Sequence, residues 1–216
     1  METEIVSINP DIPEEEKIRP AVNLIKKGEI IGFPTETVYG LAADAFNERA
    51  VEKLFEIKKR PKDIPLTIQI ASIDKLSDVI TMKTDLVETL ARDMWPGPLT
   101  LVLEKKEIIP NIVTAGKKTV GIRIPANRIA LKLLELLETP IVAPSANIYN
   151  EHSPISAKQV QDNFNKIIPM ILDGGESKIG IASTIVDLTT DPPRILREGS
   201  ITKDYLKMFI PNLRTF

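Results

Sequence analysis

Two cations close to each other are the first residues in this sequence that could do chemistry. Lys58 and Arg60 lie two residues apart, where a predicted helix must end before Pro61. In an extended exit, side chains at this spacing can point the same way and could clamp a triphosphate, with Arg60 as a planar fork and Lys58 as a point charge. A solvated run of cations that favours the helix dipole explains them equally well.

A second pair, Ser145 and Asn147, follows the short apolar segment PIVA. The alternation places a hydroxyl and an amide beside each other at the predicted end of a strand. They could bind phosphate oxygens or a nucleotide. An Asx or Ser turn that caps the strand is an equal alternative.

Hydroxyls and a carboxylate also crowd the segment PTETVYG, residues 34–40, after an apolar run. Ligands of open α/β sheets bind beyond the carboxyl ends of strands, so this loop could hold a small polar ligand. On spacing alone, a strand-to-helix turn satisfied by its own hydroxyls is favoured. Arg123 lies within the apolar segment VGIRIP, where an unpaired cation is costly. The sequence therefore predicts a carboxylate partner for Arg123, either internal or on a ligand.

The elements that must position these residues alternate between strand and helix, which predicts an α/β fold with a mixed, twisted sheet flanked by helices. Asn47 is typical of a helix N-cap, followed by apolar residues on one face. We find no repeat or linker, so a single domain over 1–216 is predicted. Other helices are predicted from Asp11 to Gly28 with an interruption at Pro20, and at 84–94, 127–138, 156–164 and 202–209. Strands are predicted in EIIGF, LTIQI, LTLVLE, TVGIRI, PIVAP, PMILD, STIVDL and RILRE.

Composition excludes several classes of function. The 216 residues carry a net charge of -2, which argues against non-specific nucleic-acid binding except through a local patch. The absence of cysteine excludes disulfides, thiolate metal sites and a cysteine nucleophile, and the single histidine, His152, argues against a zinc site or a serine–histidine triad. There is no secretory signal, membrane span, Walker A loop or dinucleotide fingerprint, so a soluble, cytoplasmic protein is predicted.

Taken together, the segments resemble the YrdC family, whose known members include threonylcarbamoyl-AMP synthases. The resemblance covers about 12–199 and leaves 200–216 as a short tail. It rests on the order of FPTETVYGLAADAF, KKRP, WPGPLT, VTAG, VGIRIP, APSAN, ASTIVDL and ILREG. It implies synthesis of threonylcarbamoyl-AMP from L-threonine, bicarbonate and ATP with release of pyrophosphate. The product would serve threonylcarbamoyl-adenosine modification of tRNA next to the anticodon, with tRNA or a tRNA threonylcarbamoyl-transferase complex downstream.

The resemblance also implies roles for individual residues. Magnesium would be held by the phosphates rather than by protein side chains, because no carboxylate cluster stands out. The implied catalytic set is Lys58, Arg60, Ser145 and Asn147. Implied ATP contacts are Lys58, Lys62, Thr119, Ser145, Ser153 and Arg197. Implied threonine contacts are Thr35, Arg123, Ala143 and Ser183.

The chain departs from the family pattern in two respects, and two alternative functions are left open. Many relatives have histidine where this chain has Gln69, which puts a titrating role there in doubt. Longer relatives carry a second C-terminal domain, so a lid over the nucleotide is expected from the short tail or from a partner. The alternatives are a double-stranded RNA or tRNA-binding protein without catalysis, and a carbamoyl-transfer module like that of hydrogenase-maturation proteins.

Overall fold

In the computed structural model, which describes residues 2–215, the eight predicted strands and three that were not predicted form one mixed sheet of eleven strands. The spatial order is β1-β8-β2-β3-β7-β4-β6-β5-β9-β10-β11. Parallel and antiparallel neighbours both occur, so the prediction of an α/β fold with a mixed sheet is confirmed. The strands are β1 (Glu4–Ser7), β2 (Ile31–Phe33), β3 (Gly40–Asp44), β4 (Thr67–Gln69), β5 (Leu99–Glu104), β6 (Thr119–Arg123), β7 (Ile141–Val142), β8 (Met170–Asp173), β9 (Thr184–Asp187), β10 (Arg194–Arg197) and β11 (Arg214–Thr215).

Side-chain caps start most of the longer helices. Asn47, Thr84, Asn127, Ser156 and Thr202 each accept a hydrogen bond from a backbone N–H in the first turn, which satisfies a donor that has no partner within the helix. The predicted starts of these five helices are therefore confirmed. The helices are α1 (Glu15–Lys26), α2 (Glu48–Lys58), α3 (Leu76–Val79), α4 (Asp85–Met94), α5 (Asn111–Thr114), α6 (Arg128–Leu137), α7 (Ala157–Phe164) and α8 (Lys203–Lys207).

Two local predictions were wrong. The first helix begins at Glu15 instead of Asp11, because the Asn9 side chain accepts hydrogen bonds from the N–H groups of Asp11 and Ile12 and holds them in a turn. The segment 34–39 leads into a strand instead of a helix, since β2 and β3 form an antiparallel pair around it. The residues of β3, GLAAD, are small and are not of the β-branched or aromatic types that predict a strand.

The two faces of the sheet are covered differently. Alternate residues of a strand point to opposite faces, and Met170 and Leu172 of β8 join a cluster with α1 and α6, whereas Ile171 joins the larger core with α2, α4 and α7. The register between β4 and β7 pairs Gln69 with Ile141, which belongs to the α1–α6 cluster. The same face therefore continues beyond α1 and α6 over β4, β6, β5 and β9, where it carries polar side chains and is open to a ligand.

The helices give no sign of a membrane segment. Across residues 2–215, none is both long enough and apolar enough to cross a bilayer.

Candidate functional site

A cleft of about 160 Å³ lies on this open sheet face. A cavity of about 150 Å³ can hold a molecule the size of benzene, so this cleft suits a small molecule such as an amino acid. Three threonines, three serines and three arginines are among the residues that line it, and no Asp or Glu is. The predicted site residues that line the cleft are Arg60, Arg123, Ala143, Ser145, Ser153, Ser183 and Arg197.

Arg123 ends β6 and is held from three sides. Its Nε donates to the carbonyl of Gly97 at 3.0 Å, and its Nη1 donates to Thr37 Oγ1 at 2.9 Å. Its Nη2 lies 2.8 Å from Glu36 Oε1, and both side chains are 8% exposed. The N–H bonds of Nη2 do not point at a Glu36 carboxylate oxygen as a hydrogen bond requires, so this last contact is an ion pair only. Of the two predicted partners of Arg123, the internal carboxylate is the one that the structure shows.

The other two arginines approach the same space from different elements. Arg60 donates to the carbonyls of Ile64 at 3.2 Å and Pro65 at 2.9 Å, and its guanidinium lies 5.6 Å from the ring centre of Tyr149. Arg197 of β10 donates to the carbonyl of Ser183 at 2.9 Å. Desolvation, and then the charges of Arg123 and Arg60, lower the pKa of Arg197. Three mutually repelling cations are relieved when an anion binds between them, so the cleft favours an anionic ligand.

Lys58 lies behind the cleft, and its side chain does not line it. The side chain is 1% exposed, and Nζ donates to the carbonyls of Ser145 and Asn147, the latter at 2.6 Å. The predicted extended exit is wrong, since Lys59 ends α2 in the left-handed conformation (φ 52°). This reversal sends Arg60 into the cleft and keeps Lys58 in the interior, so the alternative of a solvated run of cations is wrong for Lys58.

Asn147 supports the same segment from within. Its Nδ2 donates to the carbonyls of Ile148 at 2.7 Å and Glu151 at 2.9 Å, and its Oδ1 is buried without a hydrogen-bond partner. The predicted catalytic set is thus divided by the structure. Arg60 and Ser145 line the cleft, whereas Lys58 and Asn147 hold backbone carbonyls of the segment 145–151.

Besides Lys58, three predicted ligand contacts do not line the cleft. Thr35 Oγ1 donates to the carbonyl of Val38 at 2.6 Å, so this hydroxyl is satisfied within its own loop, as the alternative interpretation of the sequence held. Lys62 is exposed and pairs with Glu52 at 2.6 Å. Thr119 lies at the opposite end of β6 from Arg123, on the same face of the sheet. Their roles toward ATP or threonine stay predictions.

Several residues of the cleft were missed as site residues by the sequence analysis. Thr37 lines it in place of Thr35, and Thr67, Gln69 and Thr100 form its floor. Gln69 is 4% exposed, pairs in register with Arg123, and leaves its Oε1 without a hydrogen-bond partner. A buried acceptor without a partner is costly, so Gln69 is a candidate to accept a hydrogen bond from a ligand. The available signal was the alternation of polar residues along otherwise apolar strands.

Lys58 makes the stability of this protein depend on pH. Burial, and then the neighbouring Arg60, lower its pKa from 10.5 to about 7, although the two carbonyls favour the protonated ammonium. Below pH 7 the Lys58 amine is protonated in both the folded and the unfolded chain, so the folded state bears the full free-energy cost of burying this charge. Between pH 7 and the unfolded pKa of about 10.4, only the unfolded chain holds it, so the free energy of unfolding rises with pH, by at most about 1.4 kcal/mol per unit.

We expect this rise in urea denaturation of the wild type between pH 7 and 9, and its absence in Lys58→Met. The difference between the two proteins isolates Lys58 from the titration of surface groups. Parallel pH profiles for the two proteins would contradict the assignment.

Fold and cleft together define an α/β protein whose open sheet face carries a cleft suited to a small anionic ligand. Residues 23–199 match the model of the Sua5/YciO/YrdC family, described as telomere recombination. The chain belongs to this family, and the resemblance inferred from the sequence motifs is confirmed.

Several of the similar proteins are named threonylcarbamoyl-AMP synthase. The chain is 48% identical over 212 residues to a threonylcarbamoyl-AMP synthase of Pyrococcus abyssi. The alignment covers 98% of this chain and 62% of that protein. It is 42% identical over 195 residues to the threonylcarbamoyl-AMP synthase of Bacillus subtilis, covering 90% and 56%. A solved structure of P. abyssi Sua5 complexed with L-threonine superposes with a TM-score of 0.96 at 47% identity, covering 99% of this chain and 63% of that one. The chain therefore spans about three fifths of the length of these relatives.

Proposed function

We propose that this protein is a threonylcarbamoyl-AMP synthase, which joins L-threonine, bicarbonate and ATP. The observation that carries the proposal is the convergence of Arg60, Arg123 and Arg197 on one cleft of amino-acid size. The functional name of the relatives and the threonine complex of P. abyssi Sua5 support it.

The reaction needs charge stabilisation and positioning more than a covalent nucleophile. The threonine amine and bicarbonate form a carbamate with loss of water. A carbamate oxygen then attacks the α-phosphorus of ATP, and the bond to the leaving pyrophosphate breaks. Fixed guanidinium groups aimed at the developing charge suit this step, because they need no reorganisation when the reaction occurs. A catalytic cysteine or histidine is not required.

The geometry suggests a division of labour within the cleft. Arg123 and the neighbouring Ser183 and Ala143 would hold threonine, with the guanidinium on its carboxylate. Arg60, Arg197, Ser145 and Ser153 would face the phosphates, and the nucleotide would extend beyond the cleft, which is too small for all of ATP. Lys58 and Asn147 would act through the segment that carries Ser145. Direct contacts by Thr35, Lys62 and Thr119 remain part of the proposal.

Magnesium would enter with ATP. The residues that line the cleft include no carboxylate, and residues 2–215 contain no cluster of three or more His, Cys, Asp or Glu that could hold a metal ion. Phosphate oxygens are hard ligands of the kind Mg²⁺ prefers, so the ion would be carried chiefly by the triphosphate. The product would pass in the cytoplasm to tRNA, or to the complex that transfers the threonylcarbamoyl group to tRNA.

The decisive experiment measures pyrophosphate release from ATP with purified protein and magnesium. We expect release only when L-threonine and bicarbonate are both present, and adenylate formation in equal amount. L-Serine and L-valine are useful matched controls, since the first lacks the methyl group and the second lacks the hydroxyl. Release that does not depend on threonine would contradict the proposal, as would tight, salt-sensitive RNA binding without any release.

A further inference from the structure

Glu36 pairs with Arg123 from outside the cleft. The two side chains are 2.8 Å apart and almost completely buried. The Glu36 side chain borders a separate cavity of about 160 Å³, next to Pro34, Thr35 and Gly174. It does not line the cleft that Arg123 faces. Glu36 can therefore act on a ligand in the cleft only through Arg123.

The backbone around Glu36 is held in place by a second loop. The carbonyl of Glu36 accepts a hydrogen bond from Ile179 N–H at 2.9 Å, and the carbonyl of Thr37 accepts one from Gly180 N–H at 2.9 Å. Ser177 Oγ donates to the carbonyl of Thr35 at 2.9 Å. This ladder fixes the segment 35–37, so the Glu36 carboxylate presents a stationary charge to Arg123.

The contacts of Arg123 define the plane of its guanidinium. Gly97 holds Nε, Thr37 holds Nη1 and Glu36 lies against Nη2, so each nitrogen has one neighbour in the protein. A guanidinium has five N–H donors in a rigid fork, and the remaining ones are available to a ligand. Two-point binding of a carboxylate depends on the orientation of this fork.

We infer that Glu36 is a positioning residue for substrate recognition, and that it orients Arg123 for two-point contact with the carboxylate of an amino acid. The inference rests on the proposed function, in which Arg123 binds the threonine carboxylate. Loss of Glu36 should weaken binding of threonine without changing the chemical step. ATP, bound at Arg60 and Arg197, should be affected little.

The test is threonine binding to Glu36→Gln by isothermal titration calorimetry, with steady-state kinetics alongside. We expect the Kd and KM for threonine to rise about 10- to 100-fold, the range found when residues that orient the ligands of a metal site are replaced. The kcat at saturating threonine and the KM for ATP should stay within about threefold, the signature of a lost binding contact. Glu176→Gln is the matched control, because Glu176 borders the same second cavity but is exposed. It should bind threonine like the wild type.

Glu36→Asp keeps the experiment decisive if the Gln variant does not fold. Aspartate preserves the charge next to buried Arg123 but withdraws the carboxylate by one methylene, so we expect about 3- to 10-fold weaker threonine binding. Wild-type affinity in folded Glu36→Asp, or an equal rise in the KM values of threonine and ATP, would overturn the inference. A wild-type protein that does not bind threonine would instead overturn the proposed function, and this inference with it.

Discussion

Replacement of Lys58 by methionine is expected to lower kcat/KM for threonylcarbamoyl-AMP synthesis by about 100-fold or more, the cost of a small misplacement in a site of this kind. The ammonium of Lys58 joins the carbonyls of Ser145 and Asn147. Without it, the segment loses two of its contacts with the end of α2, and the bond from Tyr149 N–H to the Lys58 carbonyl remains. We expect Ser145, which lines the cleft, to shift as a result, although Lys58 itself does not line the cleft.

The same replacement should change stability much less than activity at pH 7. Two buried carbonyls lose a donor, at about 1–3 kcal/mol each. The buried ammonium, whose pKa is lowered to about 7, is itself unfavourable in the folded state. Its removal therefore raises the free energy of unfolding by a similar amount. We therefore expect a net change within about 2 kcal/mol at pH 7.

Pyrophosphate release and urea denaturation on the same preparation measure both effects of Lys58→Met. Lys53→Met is the control, since Lys53 lies on the same helix in a surface ion pair with Glu29. Such pairs contribute about 0–1 kcal/mol, and activity should be unchanged. Normal turnover by folded Lys58→Met would exclude the positioning role of Lys58.

Replacement of Arg123 by methionine is expected to abolish threonine binding and to lower the free energy of unfolding by about 3–5 kcal/mol. The loss of stability follows from Glu36, which is 8% exposed and would be left buried without its ion-pair partner. The loss of binding follows from the missing fork for the carboxylate. Arg19→Met removes an exposed pair with Glu15 and serves as the control, with an expected cost of about 0–1 kcal/mol.

A double variant separates these two effects of Arg123. In Glu36→Gln/Arg123→Met both charges are gone, and neutral replacement of a buried ion pair is often close to neutral for stability. We expect the double variant to recover most of the lost free energy of unfolding but none of the threonine binding. Equal instability of the single and double variants, measured by urea denaturation, would mean that the unpaired carboxylate is not the cause.

Local signals in the sequence were sufficient for much of the fold. Side chains such as Asn47 and Asn127 cap helices through bonds to the next turn, so the sequence alone determined where those helices start. Periodic apolar residues identified most of the strands, and the ordered motifs identified the family. The sequence predicts these features because their causes lie within a few residues along the chain, or in the order of the motifs.

The division of the site was decided by tertiary structure. Lys58 and Arg60 are neighbours in sequence, yet the left-handed Lys59 between them sends one side chain inward and the other into the cleft. Arg123 meets Glu36 across 87 positions of the chain, and Gln69 reaches the cleft floor through the pairing of β4 with β6. Such contacts depend on strand order and on which part of a sheet face the helices leave open. The sequence therefore determined the residue types available for an anion site, and the fold decided which of them face the ligand and which hold the others in place.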